Sequence, residues 1–176
     1  MGIFQIAQYR NGRKIGIRLA KNDHTTTGLR RLMVAAATSA GANQWPGYLD
    51  GSWAVSAWDI GYIDNDSFTG IDITDMMVSH PGWTEFAQAR AQWLTSLDSS
   101  YKLNPLPIES SAPTSSVMTV AGDIVGMFIV SKTGRDNVLM ATALFDAVLT
   151  VAVDDILEIT YETSFQTPWG AAWPPD

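Results

Sequence analysis

Residues 115–165 leave this 176-residue chain few choices of fold. In their last run Leu157, Ile159, Tyr161, Thr163 and Phe165 fall on one face, and Ile156, Glu158, Thr160, Glu162 and Ser164 on the other. That is the period-two signature of a half-buried strand. Turn signals at Ala121-Gly122-Asp123, at residues 132–137 and at Asp154-Asp155 cut the stretch into four or five short runs. Consecutive strands with short connections pair antiparallel, so the pattern predicts an up-and-down meander. The expected fold is mainly β: an antiparallel sandwich or meander with an N-terminal hairpin arm and one short α-helix.

The hairpin rests on Asn11-Gly12, the preferred pair for a two-residue type I′ turn, set between two β-prone runs over residues 2–20. Ile15, Ile17 and Leu19 alternate with Lys14, Gly16 and Arg18, which gives one apolar and one cationic face. A hairpin alone is marginal in water and must lie on something. Two placements fit: an edge hairpin on its own domain, or an arm reaching over a neighbouring subunit. Thr27 caps a helix expected over residues 28–39, closed by Gly41, with Arg30 and Arg31 in its first turn against the helix dipole. Residues 52–62 read as a strand covered on both faces. Helical periodicity over residues 85–97 competes with an extended reading. The domain plan is a basic arm over 1–22, a β-rich body over 23–165, and a Trp- and Pro-rich docking tail over 166–176 that carries Trp169 and Trp173.

Charge is divided unevenly. Through Arg31 there are seven cations against Asp23 alone, a balance of +6; the remainder holds four cations and seventeen anions, a balance of −13. An acidic total of −7 argues against general nucleic-acid binding. A basic end on an acidic body instead favours protein contacts. Arg10, Arg13, Lys14, Arg18, Arg30, Arg31, Trp169 and Trp173 are therefore the candidate partner-binding residues. The charged fraction is only 16%, with seven Trp, which suits a surface that meets other protein. A homo-oligomer, dimer or trimer, is expected, with no membrane partner.

Residues that carry chemistry are sparse. There is no Cys, and His24 and His80 have no second His at metal-ligand spacing. No G-x-S-x-G elbow or phosphate-cradling G-x-x-x-x-G-K occurs. Ser79, His80 and Asp75 make a poor triad, because adjacent residues on a turn point apart. Asp64 and Asp66 match the first positions of a calcium loop, but Phe68 occupies the next ligand position, so capping and turn roles explain Asp59, Asp64, Asp66, Asp72 and Asp75 more simply. The expectation is no enzyme, no cofactor and no metal.

The run Thr74-Asp75-Met76-Met77-Val78-Ser79-His80-Pro81-Gly82-Trp83-Thr84-Glu85 resembles a D-T-M-x-S-H-x-G-W-T-E motif of tailed-bacteriophage structural proteins. Gly126-Met127-Phe128, Leu144-Phe145 and residues 155–161 are similar to the same family's C-terminal strands. The resemblance covers roughly residues 52–165. It departs at Arg90-Ala91-Gln92-Trp93, where the family's second position is proline, and that proline favours an extended segment over 86–94. What the resemblance implies is a virion component, assembled in the host cytoplasm. The leading expectation is a capsid decoration, or cement, protein bound to the major capsid protein or other virion proteins. A tail, head-tail connector or fibre component and a carbohydrate-binding receptor module are the alternatives.

Overall fold

The computed structural model describes residues 2–26, 58–93, 108–109, 113–131 and 138–163. Its elements are strands: β1 Gly2–Arg10, β2 Arg13–His24, β3 Trp58–Asp64, β4 Ala91–Trp93, β5 Ile108–Glu109, β6 Thr114–Val117, β7 Gly122–Ser131, β8 Leu139–Val151 and β9 Ile156–Thr163. All pairings between them are antiparallel, in the order β4-β3-β7-β8-β2-β1-β9-β5, with β6 also on β9. The sheet curls until its ends meet, where the Thr114 hydroxyl of β6 donates to the Gln92 carbonyl of β4 at 3.2 Å. The result is a nearly closed barrel, so the mainly β expectation holds, as one curled sheet in place of a two-sheet sandwich. The helix expected over 28–39 and the tail over 166–176 lie outside the described residues.

Two expectations need correction. The C-terminal strands are not an uninterrupted meander: β7 and β8 pair, but β9 pairs with β1, and the N-terminal hairpin stands between β8 and β9. Nor is that hairpin an arm, since β1 is paired with β2 along its whole length and with β9 from Gly2 to Tyr9. The reason is side-chain fit. Phe4 and Ile6 of β1, both fully buried, line up with Tyr161 and Ile159 of β9. Phe4 and Tyr161 stack at 4.2 Å between ring centroids. The turn itself forms as expected, with Asn11 and Gly12 both in the left-handed region.

The barrel interior is filled by side chains. Phe4, Ile6, Trp58, Ile60, Tyr62, Trp93, Met127, Ile129, Leu157, Ile159 and Tyr161 form one continuous cluster. Burial pushes the Tyr62 hydroxyl up to about 12. In β9 the alternation read from the sequence holds, with Leu157, Ile159 and Tyr161 buried and Ile156, Glu158 and Thr160 partly exposed. The excursion between β3 and β4 lies over the outer face of β3 and β7. There Ile63, Trp83, Phe128, Val130 and Leu139 make a second cluster, backed by Phe68, Ile71 and Met77. This is why β3 is buried on both faces. Residues 86–90 are irregular, with bends at 87 and 88, and lead into the short strand β4, so the extended reading of this segment holds only for Ala91–Trp93.

Gly61 makes the second cluster possible. It stands opposite Phe128 in the β3–β7 register, and the Phe128 ring lies across it. A Cβ on residue 61 would sit 2.2 Å from Phe128 Cζ. The ring in turn carries the Arg90 guanidinium at 5.5 Å, itself held by a bidentate pair with Glu85 at 2.7 and 2.8 Å.

A side-chain lock fastens the turn end of the hairpin. Asp155 is fully buried. Its carboxylate accepts from Arg10 Nε and Arg10 Nη2, both at 2.7 Å, from Gln8 Nε2 at 2.8 Å and from the Ala152 amide at 2.9 Å. Gln8 also donates to the Thr150 carbonyl at 3.0 Å. The Arg10 pair, ahead of the Ala152 and Gln8 hydrogen bonds, holds the Asp155 carboxyl well below the usual carboxylate range.

Two outcomes test this packing. Gly61→Ala is expected to cost about 2 kcal/mol in urea unfolding through overpacking against Phe128. Gly16→Ala, where a Cβ meets nothing within 4 Å, serves as the near-neutral control; equal effects at the two sites would contradict the account. Because the folded pKa of Asp155 is depressed, its contribution is fully present above the unfolded value of about 4 and is lost as pH falls below it. Asp155→Asn is therefore expected to lower the melting temperature at pH 7, and to make melting less sensitive to acidification from about pH 4 to 2 than in the unsubstituted chain.

Candidate functional site

Only the last residues of β2 continue the ladder onto β8: Asn22, Asp23 and His24 pair with Ala143, Thr142 and Ala141. Toward the hairpin turn the two strands part. Among the described residues, no strand pairs with the outer edge of residues 13–21. Side chains bridge the parting instead. Arg18 Nε approaches the Asp146 carboxylate at 3.9 Å, and Gln8 and Arg10 reach the β8–β9 turn through the lock described above. One edge of β2 thus lacks ladder partners over residues 13–21 among the described residues, with β8 alongside and bridged through Arg18 and Asp146; an edge of this kind can take up a further strand.

The outward face of the same strand is apolar. Ile15, Ile17 and Leu19 are exposed by 50%, 48% and 57%, and Ile3 of β1 shares the face opposite Lys21. Of the two faces of the hairpin strand, the aliphatic one points to solvent, and the face of Gly16, Arg18 and Ala20 turns inward beside Gln8, Ile6 and Phe4. Once β1 supplies Phe4 and Ile6 to the core, strand pairing fixes which face of β2 is inside. A contiguous row of half-exposed aliphatics is uncommon on a solitary soluble domain.

The candidate cations divide accordingly. Arg13 and Lys14 are exposed beside the aliphatic row, Lys14 with its ammonium 5.9 Å over the Tyr9 ring. Arg18 is half-buried at the parting, and its Nε makes no hydrogen bond among the described residues. Arg10 pairs with Asp155 within its own chain while its side chain stays 44% exposed. Lys21, exposed at the other end of the row, completes the basic set. Arg30, Arg31, Trp169 and Trp173 lie outside the described residues. The aliphatic row itself was missed as a surface. Its signal was present in the sequence, because a strand alternating aliphatic and cationic residues must expose one of the two sets.

The residues weighed for chemistry have structural partners. Trp83 Nε1 donates to Asp75 at 2.8 Å, and the same carboxylate oxygen accepts from the Asp72 amide at 2.9 Å. His80 stacks on Trp83 at 3.8 Å between centroids, with Nδ1 2.8 Å from the Trp83 carbonyl. Asp75, His80 and Trp83 thus tie the excursion into a compact knot over Phe128, with Trp83 and Phe128 5.2 Å apart. Asp64 accepts from the Asp66 amide, and Asp72 from Thr74. Among the described residues no three His, Asp or Glu side chains converge as a metal site.

Comparison of the chain with protein-family models, with curated proteins and with solved structures gave no match.

Proposed function

We propose that this chain is a non-enzymatic virion structural protein of tailed-bacteriophage type, a decoration or cement protein that stabilises a capsid shell by bridging its subunits. The observation that carries the reading is the open edge of β2 with its exposed row Ile15, Ile17 and Leu19, flanked by Arg13, Lys14 and Lys21. An edge of this kind binds by adding a strand: backbone hydrogen bonds supply affinity, and alternate side chains supply selectivity. The flanking cations favour an acidic surface on the shell and speed encounter with it. A packed barrel with a locked hairpin presents that edge rigidly, which lowers the ordering cost of binding. The resemblance of residues 74–85 and of the C-terminal strands to phage structural proteins supplies the setting.

Because β1 and β2 are integral to the barrel, deleting the hairpin would unfold the chain, and exposed substitutions are the proper test. Particles lacking the chain are incubated with the purified protein or with Lys14→Thr/Ile17→Thr, two changes at exposed positions that keep β-forming residues. The unsubstituted chain is expected to saturate the shell at hundreds of copies per particle and to raise its resistance to heat, with binding of the variant weaker by about tenfold or more. Saturation at about a dozen copies or fewer would assign the chain to a tail or connector ring instead. Failure of the chain to bind particles at all would overturn the reading.

A further inference from the structure

The excursion between β3 and β4 bears a second exposed patch of mixed character. Ile73, Met76 and Val78 are exposed by 59%, 43% and 81%. Between Asp64 and Glu85 there is no Lys or Arg, whereas Asp66 and Asp72 are exposed. Glu85 is neutralised by Arg90 and Asp75 is buried under Trp83, so Asp66 and Asp72 are the surface anions of this patch that pair with no cation among the described residues. The patch is firmly held: besides the knot at Trp83, the Thr26 amide donates to the Ile73 carbonyl at 2.7 Å and the Asn65 amide to the Asp123 carbonyl at 3.0 Å. The β2 row offers the same mixture with opposite sign: aliphatics beside Arg13, Lys14 and Lys21.

From this pairing we infer that the β2 face of one copy docks on the excursion of a second copy, a head-to-tail contact between unlike surfaces of the same chain. Charge selects the occupant. Two β2 edges paired with each other about Ile17 would bring both sets of cations together, and like charges facing across a strand pair are destabilising. An acidic, partly apolar surface meets the row without that cost, and the excursion is such a surface on every copy. A contact between unlike surfaces leaves one free face of each kind at the ends of an assembly, so copies continue into a closed ring or an open filament. The inference rests on reading the β2 edge as adhesive, and it adds a partner and a second surface to that reading. It does not require a capsid.

The test uses the full chain and two variants at exposed positions: Lys14→Thr/Ile17→Thr on the β2 face and Asp66→Ser/Val78→Ser on the excursion. Sedimentation velocity across a concentration series is expected to show the unsubstituted chain associating, with salt at about 0.5 M weakening it several-fold. Each variant alone is expected to associate at least about tenfold more weakly. Mixed in equal amounts, the two variants retain one intact pair of faces and are expected to form a one-to-one complex that grows no further. A monomeric unsubstituted chain at all concentrations would overturn the inference, as would association unchanged in either variant or a mixture that forms no complex. Particle binding measured on the excursion variant separates the two proposals: retained particle binding with lost self-association leaves the shell reading intact.

Discussion

The structure depends on a buried carboxylate. Backbone pairing between β2 and β8 stops after three residues, and Asp155 adds to the β1–β9 ladder a side-chain tie at the turn end of the hairpin, gathering Arg10, Gln8 and the Ala152 amide at one point. A charge buried this deeply is tolerable only when its lone pairs are met, and here four donors meet them. Charge-assisted bonds to Arg10 take the load that ladder hydrogen bonds carry elsewhere in the sheet. The barrel is thereby closed from within, by side chains, while the outer edge of β2 stays unpaired. Stability and adhesiveness come from the same arrangement.

That division explains the surface chemistry. A sheet closed by its own backbone has no edge to offer and gains solubility. This one closes at β4 and β6 through Thr114 and Gln92, and at β2 and β8 only in part. Cations beside the open edge discourage copies from pairing edge to edge, but leave it available to acidic surfaces. The excursion over β3 and β7 does a different task. It buries the outward face of β3 under Trp83 and Phe128, which makes that side of the barrel rigid and carries the exposed apolar residues Ile73, Met76 and Val78 on a braced loop.

Much of the fold was legible because its signals are local. Asn11-Gly12 fixes a hairpin, and alternation over residues 156–163 fixes a strand and its inward face. Strand order was not legible. Consecutive strands are usually neighbours, and nothing in the sequence near β8 and β9 announces that β1 and β2 will stand between them. That insertion follows from the fit of Phe4 against Tyr161, a contact between opposite ends of the chain. The Arg10 pairing was not legible for the same reason, since its partner Asp155 lies far along the sequence and looks like an ordinary turn residue. The apolar row of β2 was visible, but the direction it faces is decided by the neighbouring strand.

Amide hydrogen exchange on the dilute, monomeric chain tests the account most directly. In β1, paired on both sides, all amides should be strongly protected. In β2, residues 13–21 should alternate, with amides turned toward β1 protected and those turned outward exchanging nearly as fast as loop amides. Uniform protection along β2 in the monomer would mean that its outer edge is already paired within the chain, and the open-edge account would fail.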